Sequence, residues 1–219
     1  MKCFVSRSSE LWSAVMAECA SMSIDWVCEP LIRTQSLSFQ LPTQSFEWIF
    51  FSSREAVHHF FQANPNLPTV RYGAIGPSTA KALASFAPID FVGQSADIAQ
   101  VAEAFSQVVQ AETVLFPGSQ ISLRSIQRVL REHQVVDLAC YETHMISVVV
   151  PECDVYIFSS PSNVRSFFQS NILPSGAFCW AFGTQTAQCL LKHGCQHAEI
   201  FEDLQPAQIA HTIKQFFNR

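Results

Sequence analysis

Residues 51–62 read FSSREAVHHFFQ and residues 158–169 read FSSPSNVRSFFQ, so one motif returns 107 positions later in the chain. The same offset, without a gap, relates residues 74–83 (AIGPSTAKAL) to residues 181–190 (AFGTQTAQCL). Solenoid repeats have periods of roughly 20–50 residues, whereas a period of 107 residues fits two tandem units of domain size. The sequence therefore predicts two related domains.

The composition predicts a folded protein with no general affinity for nucleic acid or membranes. Of the 219 residues, 48% are hydrophobic and 14% are charged, which suits two small cores. The net charge of −5 gives no basic surface that would attract polyanions. No apolar run reaches the roughly 18 residues of a membrane span, and Met1–Glu10 does not resemble a signal peptide. A cytoplasmic monomer is expected.

Eight cysteines raise the question of disulfides or a metal site. No C-x-x-C pair occurs, and a chain of this length needs no covalent staples, so the cysteines are interpreted as reduced thiols that are mostly small core residues. One metal-like grouping stands out, namely Cys189, His193, Cys195 and His197. Its spacing matches no common zinc pattern, and no metal is expected.

Short apolar runs rich in Phe, Val and Ile alternate with helical patterns, which indicates an α/β fold with largely parallel sheets. Trp48–Phe51 is a clear strand, and Ser52 or Ser53 is predicted to cap the helix that follows. Gly76 and Gly183 are each predicted to turn a strand into a helix. Val114–Phe116 is predicted to precede a helix that contains Leu123, Ile126, Val129 and Leu130.

Two extended and partly polar stretches, Pro30–Pro42 and Asp137–Val150, interrupt this alternation. They are predicted to pair as connecting strands, which makes one domain discontinuous. The predicted boundaries are residues 1–32 with 147–219 for that domain, 43–137 for the inserted domain, and 33–42 with 138–146 for the connector. Simple bisection of the chain is the alternative.

Polar residues and glycines follow the predicted strands at equivalent places in both halves. Ligands of parallel sheets bind at the carboxyl ends of strands, where helix N-termini favour carboxylates and phosphates. If the two domains faced each other across a cleft, these residues would converge on one acidic ligand. Helix capping is the more ordinary role of any single hydroxyl, and the repetition at equivalent positions is what favours the group as a binding site. The candidate binding residues are Ser52, Ser53, Gly76, Thr79, Gly118, Ser159, Ser160, Ser162, Gly183, Thr184 and Thr186.

Several enzyme classes lack their motifs in this chain. No G-x-G-x-x-G follows a strand and no G-K-[ST] occurs, so no nucleotide cofactor is expected. Neither Ser-Ser pair has the flanking glycines of a nucleophile elbow, which leaves little support for a hydrolase. His58 and His59 are predicted to lie on the solvent-facing side of a helix.

A family resemblance rests on several stretches in this order: Phe4–Arg7, Phe51–Ser53 leading to Val57, Ile75–Ala80, Cys140–Thr143, Phe158–Ser162 and Phe182–Ala187. Together they resemble the uroporphyrinogen-III synthase family, whose members pair two α/β domains of flavodoxin- or Rossmann-like type through a two-stranded connector. The resemblance implies a lyase without cofactor that cyclises the acidic linear tetrapyrrole hydroxymethylbilane to uroporphyrinogen III in heme biosynthesis. It implies loss of the terminal hydroxyl, an azafulvene, a spiro intermediate, and reclosure with the last pyrrole ring inverted.

The resemblance also implies roles for single residues. Tyr141, in the predicted connector, is expected to assist departure of hydroxide, because a phenol is protonated at neutral pH. Arg7 matches the strand-end position of the family and is expected to bind substrate carboxylates. Arg124 would add charge, although a surface role is the ordinary one. The turn at Gly183 lacks the usual proline, and Arg54-Glu55 fills a place of smaller residues.

Two alternatives remain at this point. A noncatalytic two-domain regulator would keep the binding residues and bind a tetrapyrrole or another small molecule without turnover. A different small-molecule enzyme could use the same flavodoxin-like scaffold, although the chain has no phosphate-specific loop.

Overall fold

The chain forms two units of parallel strands and helices. The computed structural model describes residues 1–95, 97–121, 124–131, 134–201 and 203–217. The terminal unit comprises Met1–Arg33 and His144–Arg219, and the inserted unit comprises Thr34–Thr143. Assignment of residues 33–42 and 138–146 to a separate connector stays a prediction.

The elements alternate as the sequence pattern predicts. The strands are β1 (Lys2–Val5), β2 (Asp25–Cys28), β3 (Ile32–Ser36), β4 (Trp48–Phe51), β5 (Arg71–Ala74), β6 (Phe91–Val92), β7 (Val114–Ser119), β8 (Val135–Met145), β9 (Val155–Phe158), β10 (Phe178–Ala181) and β11 (Ala198–Ile200). The helices are α1 (Ser9–Glu18), α2 (Arg54–Gln62), α3 (Pro77–Leu83), α4 (Ile98–Val109), α5 (Pro161–Ser170), α6 (Thr184–Lys192) and α7 (Pro206–Phe217).

The terminal unit is built on a five-stranded sheet in the order β11-β10-β9-β1-β2, with every paired strand parallel. Its central strands β9, β1 and β10 are apolar on both faces because helices cover both. Phe4 and Phe158 pack in a cluster that includes Phe167 of α5, whereas Val5 and Ile157 pack in a cluster that includes residues of α1 and α7. Consecutive residues of a strand thus enter different cores.

The inserted unit has a six-stranded sheet in the order β3-β8-β7-β4-β5-β6. Strands β4 to β8 pair in parallel. Ile49 and Phe51 pack with residues of α2 and α3, and Phe50 packs with residues of α4. The edge strand β3 runs beside β8, where the amide of Leu37 donates to the carbonyl of Cys140 at 3.0 Å.

The two units share one arrangement but differ in where the chain enters it. The run β4-α2-β5-α3-β6-α4 has its counterpart in β9-α5-β10-α6-β11-α7, and the strands keep the same neighbours. After α4 the chain continues directly into β7, whereas the strand in the equivalent sheet position of the terminal unit is β1, at the start of the chain. The units are therefore circular permutants, and Ser6-Arg7 corresponds to the end of β7.

The predicted helix after β7 is wrong for the part of it that the structure describes. Only Gln127–Val129 forms a short 3-10 helix there, and Leu123 lies outside the described residues. Arg124 has φ of 52°, in the left-handed region that interrupts a right-handed helix. Ile126 is nevertheless buried, so the apolar pattern marked core packing rather than a long helix.

The cysteines serve mainly as core residues, as predicted. All eight are free thiols; seven are buried and Cys28 is half-buried.

Within the described part of the chain, no helix combines the length and the apolar character needed to cross a membrane.

Candidate functional site

The predicted site residues fall into two sets, each at the carboxyl ends of the strands of one unit. In the inserted unit the residues are Ser52, Ser53, Gly76, Thr79, Gly118 and Tyr141. In the terminal unit they are Arg7, Ser159, Ser160, Ser162, Gly183, Thr184 and Thr186. The positions correspond, because β4 and β9 each lie at the middle of three strands whose ends lead into these residues. Tyr141 differs in that it lies within β8, where it pairs with Ser119 at the end of β7.

A β-bulge sets the direction of the Tyr141 side chain. The register between β7 and β8 shifts at Gly118/Ser119, so that Gly118 pairs with Ala139 but Ser119 pairs with Tyr141. Consecutive residues of a regular strand point to opposite faces, yet Cys140 and Tyr141 both pack in the cluster on the α2 side of the sheet. The extra residue turns Tyr141 onto that face, as bulges next to functional sites commonly do.

The Tyr141 hydroxyl lies 3.5 Å from the Ser53 hydroxyl. Ser53 is the N-cap of α2, where its oxygen accepts the amide hydrogen of Ala56 at 3.1 Å. Burial raises the pKa of Tyr141 above its ordinary value, and the hydrogen bond with Ser53 opposes that rise by stabilising the phenolate. Tyr141 is therefore a protonated phenol at neutral pH with a partner for its ionised form.

His59 is a residue whose environment the sequence interpretation missed. The prediction of a solvent-facing pair fits His58, which is exposed, but is wrong for His59, which is half-buried. The imidazole stacks on the ring of Tyr141 with centroids 4.9 Å apart and 17° between the planes. The contact joins α2 to β8, which are far apart in the chain, and no local sequence pattern predicts it.

In the terminal unit, Ser159 is tied to the end of β1. Its amide donates to the Ser6 hydroxyl at 2.9 Å, and its hydroxyl donates to the Ser6 carbonyl at 3.3 Å. These bonds fix the loop after β9 against the loop after β1. Ser159 thus has a structural explanation beside its predicted binding role.

Asn163 completes this network and was also missed. Its side-chain amide donates to the hydroxyls of Ser159 at 3.2 Å and Ser160 at 2.8 Å, while its oxygen accepts the Leu31 amide at 3.3 Å. Asn163 is buried, and in the internal repeat it stands where the inserted unit has Ala56. The sequence did contain a signal for Asn163, because the repeat has a polar residue at this position in one unit and an apolar residue in the other.

Charged side chains lie near some of these strand ends. The guanidinium of Arg7 lies 4.5 Å from the ring centroid of Phe182, the residue before Gly183. The first turns of α3, α5 and α6 contain no acidic residue, whereas α1 carries Glu10 and α2 carries Glu55 there. The N-termini of α3, α5 and α6 therefore suit carboxylates better than those of α1 and α2.

The remaining predicted residues differ in exposure. Ser52 and Thr184 are exposed, while Thr79 and Thr186 are buried in the first turns of α3 and α6. Ser160 caps α5 by accepting the amide of Asn163, and Ser162 accepts from Arg165 at 3.3 Å. Arg124 forms an ion pair with Asp137 at 2.9 Å, which accounts for it as a surface residue. Among the described side chains, no group of three or more His, Cys, Asp or Glu could hold a metal ion.

The fold and these strand ends define an α/β protein of two permuted, duplicated units, one of which carries a buried tyrosine hydroxyl beside a helix N-cap. The family model described as uroporphyrinogen-III synthase HemD matches residues 13–205. The chain belongs to the uroporphyrinogen-III synthase family, which confirms the resemblance read from the sequence.

Solved structures agree on the fold. A mutant uroporphyrinogen III synthase from the extremely thermophilic bacterium Thermus thermophilus is 14% identical, with a TM-score of 0.65 and coverage of 100% of this chain and 99% of that one. Uroporphyrinogen-III synthetase from Helicobacter pylori is 16% identical, with a TM-score of 0.67 and the same coverage. The predicted class of paired parallel-sheet units is confirmed. No curated protein sequence matches the chain significantly.

Proposed function

We propose that this chain cyclises hydroxymethylbilane to uroporphyrinogen III, with inversion of the last pyrrole ring and loss of water, and that Tyr141 supplies the proton for that water. Family membership supports the reaction. The observation that carries the role of Tyr141 is a buried, protonated phenol whose hydroxyl lies beside the N-cap of a helix at the carboxyl ends of parallel strands.

The first step breaks the bond between the terminal methylene carbon and its hydroxyl. The pyrrole nitrogen pushes an electron pair toward the methylene carbon, the Tyr141 O–H gives its proton to the departing oxygen, and water leaves. The products are an azafulvene-type cation and a phenolate. When the ring system closes and the inverted pyrrole regains aromaticity, it loses one proton, and this proton restores the phenol. Protons therefore balance without a cofactor.

Ser53 has a defined role in this scheme. Its oxygen already accepts the Ala56 amide, so its own proton is available for the Tyr141 oxygen. The bond strengthens as the phenol becomes a phenolate, because charged acceptors form stronger hydrogen bonds. Ser53 therefore lowers the cost of the proton transfer while leaving the Tyr141 proton directed at the substrate.

Carboxylates of the substrate are assigned to the strand ends. Arg7 contributes charge in the terminal unit, and the helix N-termini after Ser160 and Gly183 contribute backbone amides. The other proposed binding residues are Ser52, Ser53, Gly76, Thr79, Gly118, Ser159, Ser162, Thr184 and Thr186. A monomer acting in the cytoplasm completes the proposal; light scattering on the purified chain tests the oligomeric state.

Replacement of Tyr141 by Phe tests the catalytic role. We expect kcat for isomer III formation to fall about 10²- to 10⁴-fold, the range of general-acid contributions, with little change in KM. Tyr72→Phe is the matched control, because Tyr72 is a buried tyrosine in the same unit on β5. Full turnover by the Tyr141→Phe variant would remove Tyr141 from the mechanism and leave the reaction to other groups.

A further inference from the structure

The hydroxyl and the ring of Tyr141 both contact residues of one helix, α2. Its hydroxyl contacts Ser53 at the start of α2, and its ring lies flat on His59 in the second turn of the same helix. A ring that packs on one face only can still tilt and carry its hydroxyl away from a substrate. The near-parallel stack restricts this motion, since tilting would separate the two aromatic planes.

His59 is itself fixed through both ring nitrogens. Nδ1 lies 2.8 Å from the Ser36 hydroxyl oxygen, and Nε2 lies 3.0 Å from the Thr34 hydroxyl oxygen. Ser36 donates its hydroxyl proton to Gln62 Oε1 at 3.1 Å, so its oxygen accepts from Nδ1–H. In the neutral ring, Nε2 then accepts the Thr34 proton. The network leaves His59 a single orientation.

Both hydroxyl partners of His59 come from β3, the edge strand beside β8, which carries Tyr141. The imidazole is therefore connected to β3 through hydrogen bonds and to β8 through the stack. His59 has hydroxyl groups of β3 as hydrogen-bond partners of its nitrogens and the ring of Tyr141 against its face. Packing alone would be met by an aliphatic residue at this position.

We propose that His59 is the positioning residue for Tyr141: the hydrogen-bonded imidazole holds the phenol plane so that the hydroxyl stays beside Ser53 and directed at the bond that breaks. The inference rests on the proposed role of Tyr141 as proton donor. His59 does not touch the substrate in this account and transfers no proton. Its contribution is geometric, and misplacement of a reacting group by about 1 Å can cost about 100-fold in rate.

Steady-state kinetics with freshly generated hydroxymethylbilane test the proposal. We expect His59→Ala to lower kcat about 10- to 100-fold with KM nearly unchanged, because the phenol is present but misplaced. His59→Phe keeps a flat ring without the hydrogen bonds and should retain more activity than His59→Ala. His58→Ala, the exposed neighbour on the same helix, is the matched control and should behave like the wild type. Equal kcat in His59→Ala and wild type would overturn the proposal.

An NMR measurement separates this proposal from the proposed function. The chain contains three tyrosines, so 13C labelling of tyrosine rings gives three sets of signals, and Tyr141→Phe assigns one of them. Loss of the stacked imidazole in His59→Ala should shift the Tyr141 signals and leave those of Tyr72 and Tyr156 in place. Unshifted Tyr141 signals would refute positioning even if kcat fell. Shifted signals together with full activity of Tyr141→Phe would support positioning and refute the proton-donor role instead.

Discussion

Cys140 and Tyr141 are neighbours in the chain that pack on the same side of one sheet, and this single irregularity places the candidate proton donor. Alternation along β8 runs regularly through Val136, Leu138 and Cys140, whose side chains share the α2 side. The bulge then adds Tyr141 to that side. The sequence suggested Tyr141 only through a family resemblance. Its contacts with Ser53 and His59 depend on a register shift that local pattern does not encode.

Ser53 caps α2 and, in the proposed mechanism, also donates to Tyr141, and one substitution can separate these two roles. Asp caps helices as well as Ser does, so Ser53→Asp should change the free energy of unfolding by less than about 1 kcal/mol. A carboxylate cannot donate to Tyr141, and its charge raises the pKa of the phenol further. We therefore expect kcat to fall about 100-fold, comparable to the loss of one donor to a developing oxyanion. Urea unfolding and isomer-resolved kinetics measure the two effects.

Ser53→Thr is the companion variant, because threonine keeps both the capping oxygen and the donating proton. It should retain most of the turnover. Wild-type kcat in Ser53→Asp would show that donation from residue 53 is dispensable and would contradict the role given to it.

The internal repeat predicted which strands and helices of the two units correspond, but not which side chains fill the two cores. Phe50 pairs with Gly73 across β4 and β5, and Ile157 pairs with Trp180 across β9 and β10. These pairs are equivalent under the offset of 107 residues. A Cβ on Gly73 would lie 2.7 Å from Phe50 Cδ2, so the glycine makes room for the larger ring. The larger residue of the pair lies on β4 in the inserted unit, where it is Phe50, but on β10 in the terminal unit, where it is Trp180. Both pairs remain close-packed.

The sequence likewise predicted only part of the order of strands and helices. Strand-then-helix alternation and the matching strand ends followed from apolar periodicity and from Gly or Ser before each helix. The circular permutation could not be predicted in this way, because β1 and β7 share no sequence motif and correspond only in sheet order. The segment after β7 also escaped prediction, since the left-handed Arg124 interrupts an otherwise helical apolar pattern. Ile126 is buried although it does not lie in the predicted helix, so its apolar side chain reflects core packing.

For the whole molecule, buried thiols predict a loss of stability in alkali. Burial raises the pKa of Cys3 and Cys140 from 9.0 to about 12, and that of Cys153 to about 11. Above pH 9 the unfolded chain releases thiol protons that the folded chain retains, so stability is full below pH 9 and falls as pH rises. Each such thiol should remove about 1.4 kcal/mol per pH unit until it ionises in the folded state.

Urea unfolding between pH 7 and pH 10.5, under reducing conditions, measures this slope. Cys140→Ala should show a smaller alkaline loss than the wild type, because one buried thiol of the inserted unit is gone. A free energy of unfolding that stays constant from pH 8 to pH 10.5 would mean that the thiols ionise in the folded chain at their ordinary pKa.

Closure of hydroxymethylbilane with inversion of one ring is the activity that we propose for this chain. The most direct test adds the purified protein to freshly generated hydroxymethylbilane and separates the oxidised uroporphyrin isomers I and III by chromatography. We expect isomer III to predominate and to form faster than the product of the spontaneous reaction. Isomer I alone, at the rate seen without protein, would contradict synthase activity and favour a noncatalytic tetrapyrrole-binding regulator.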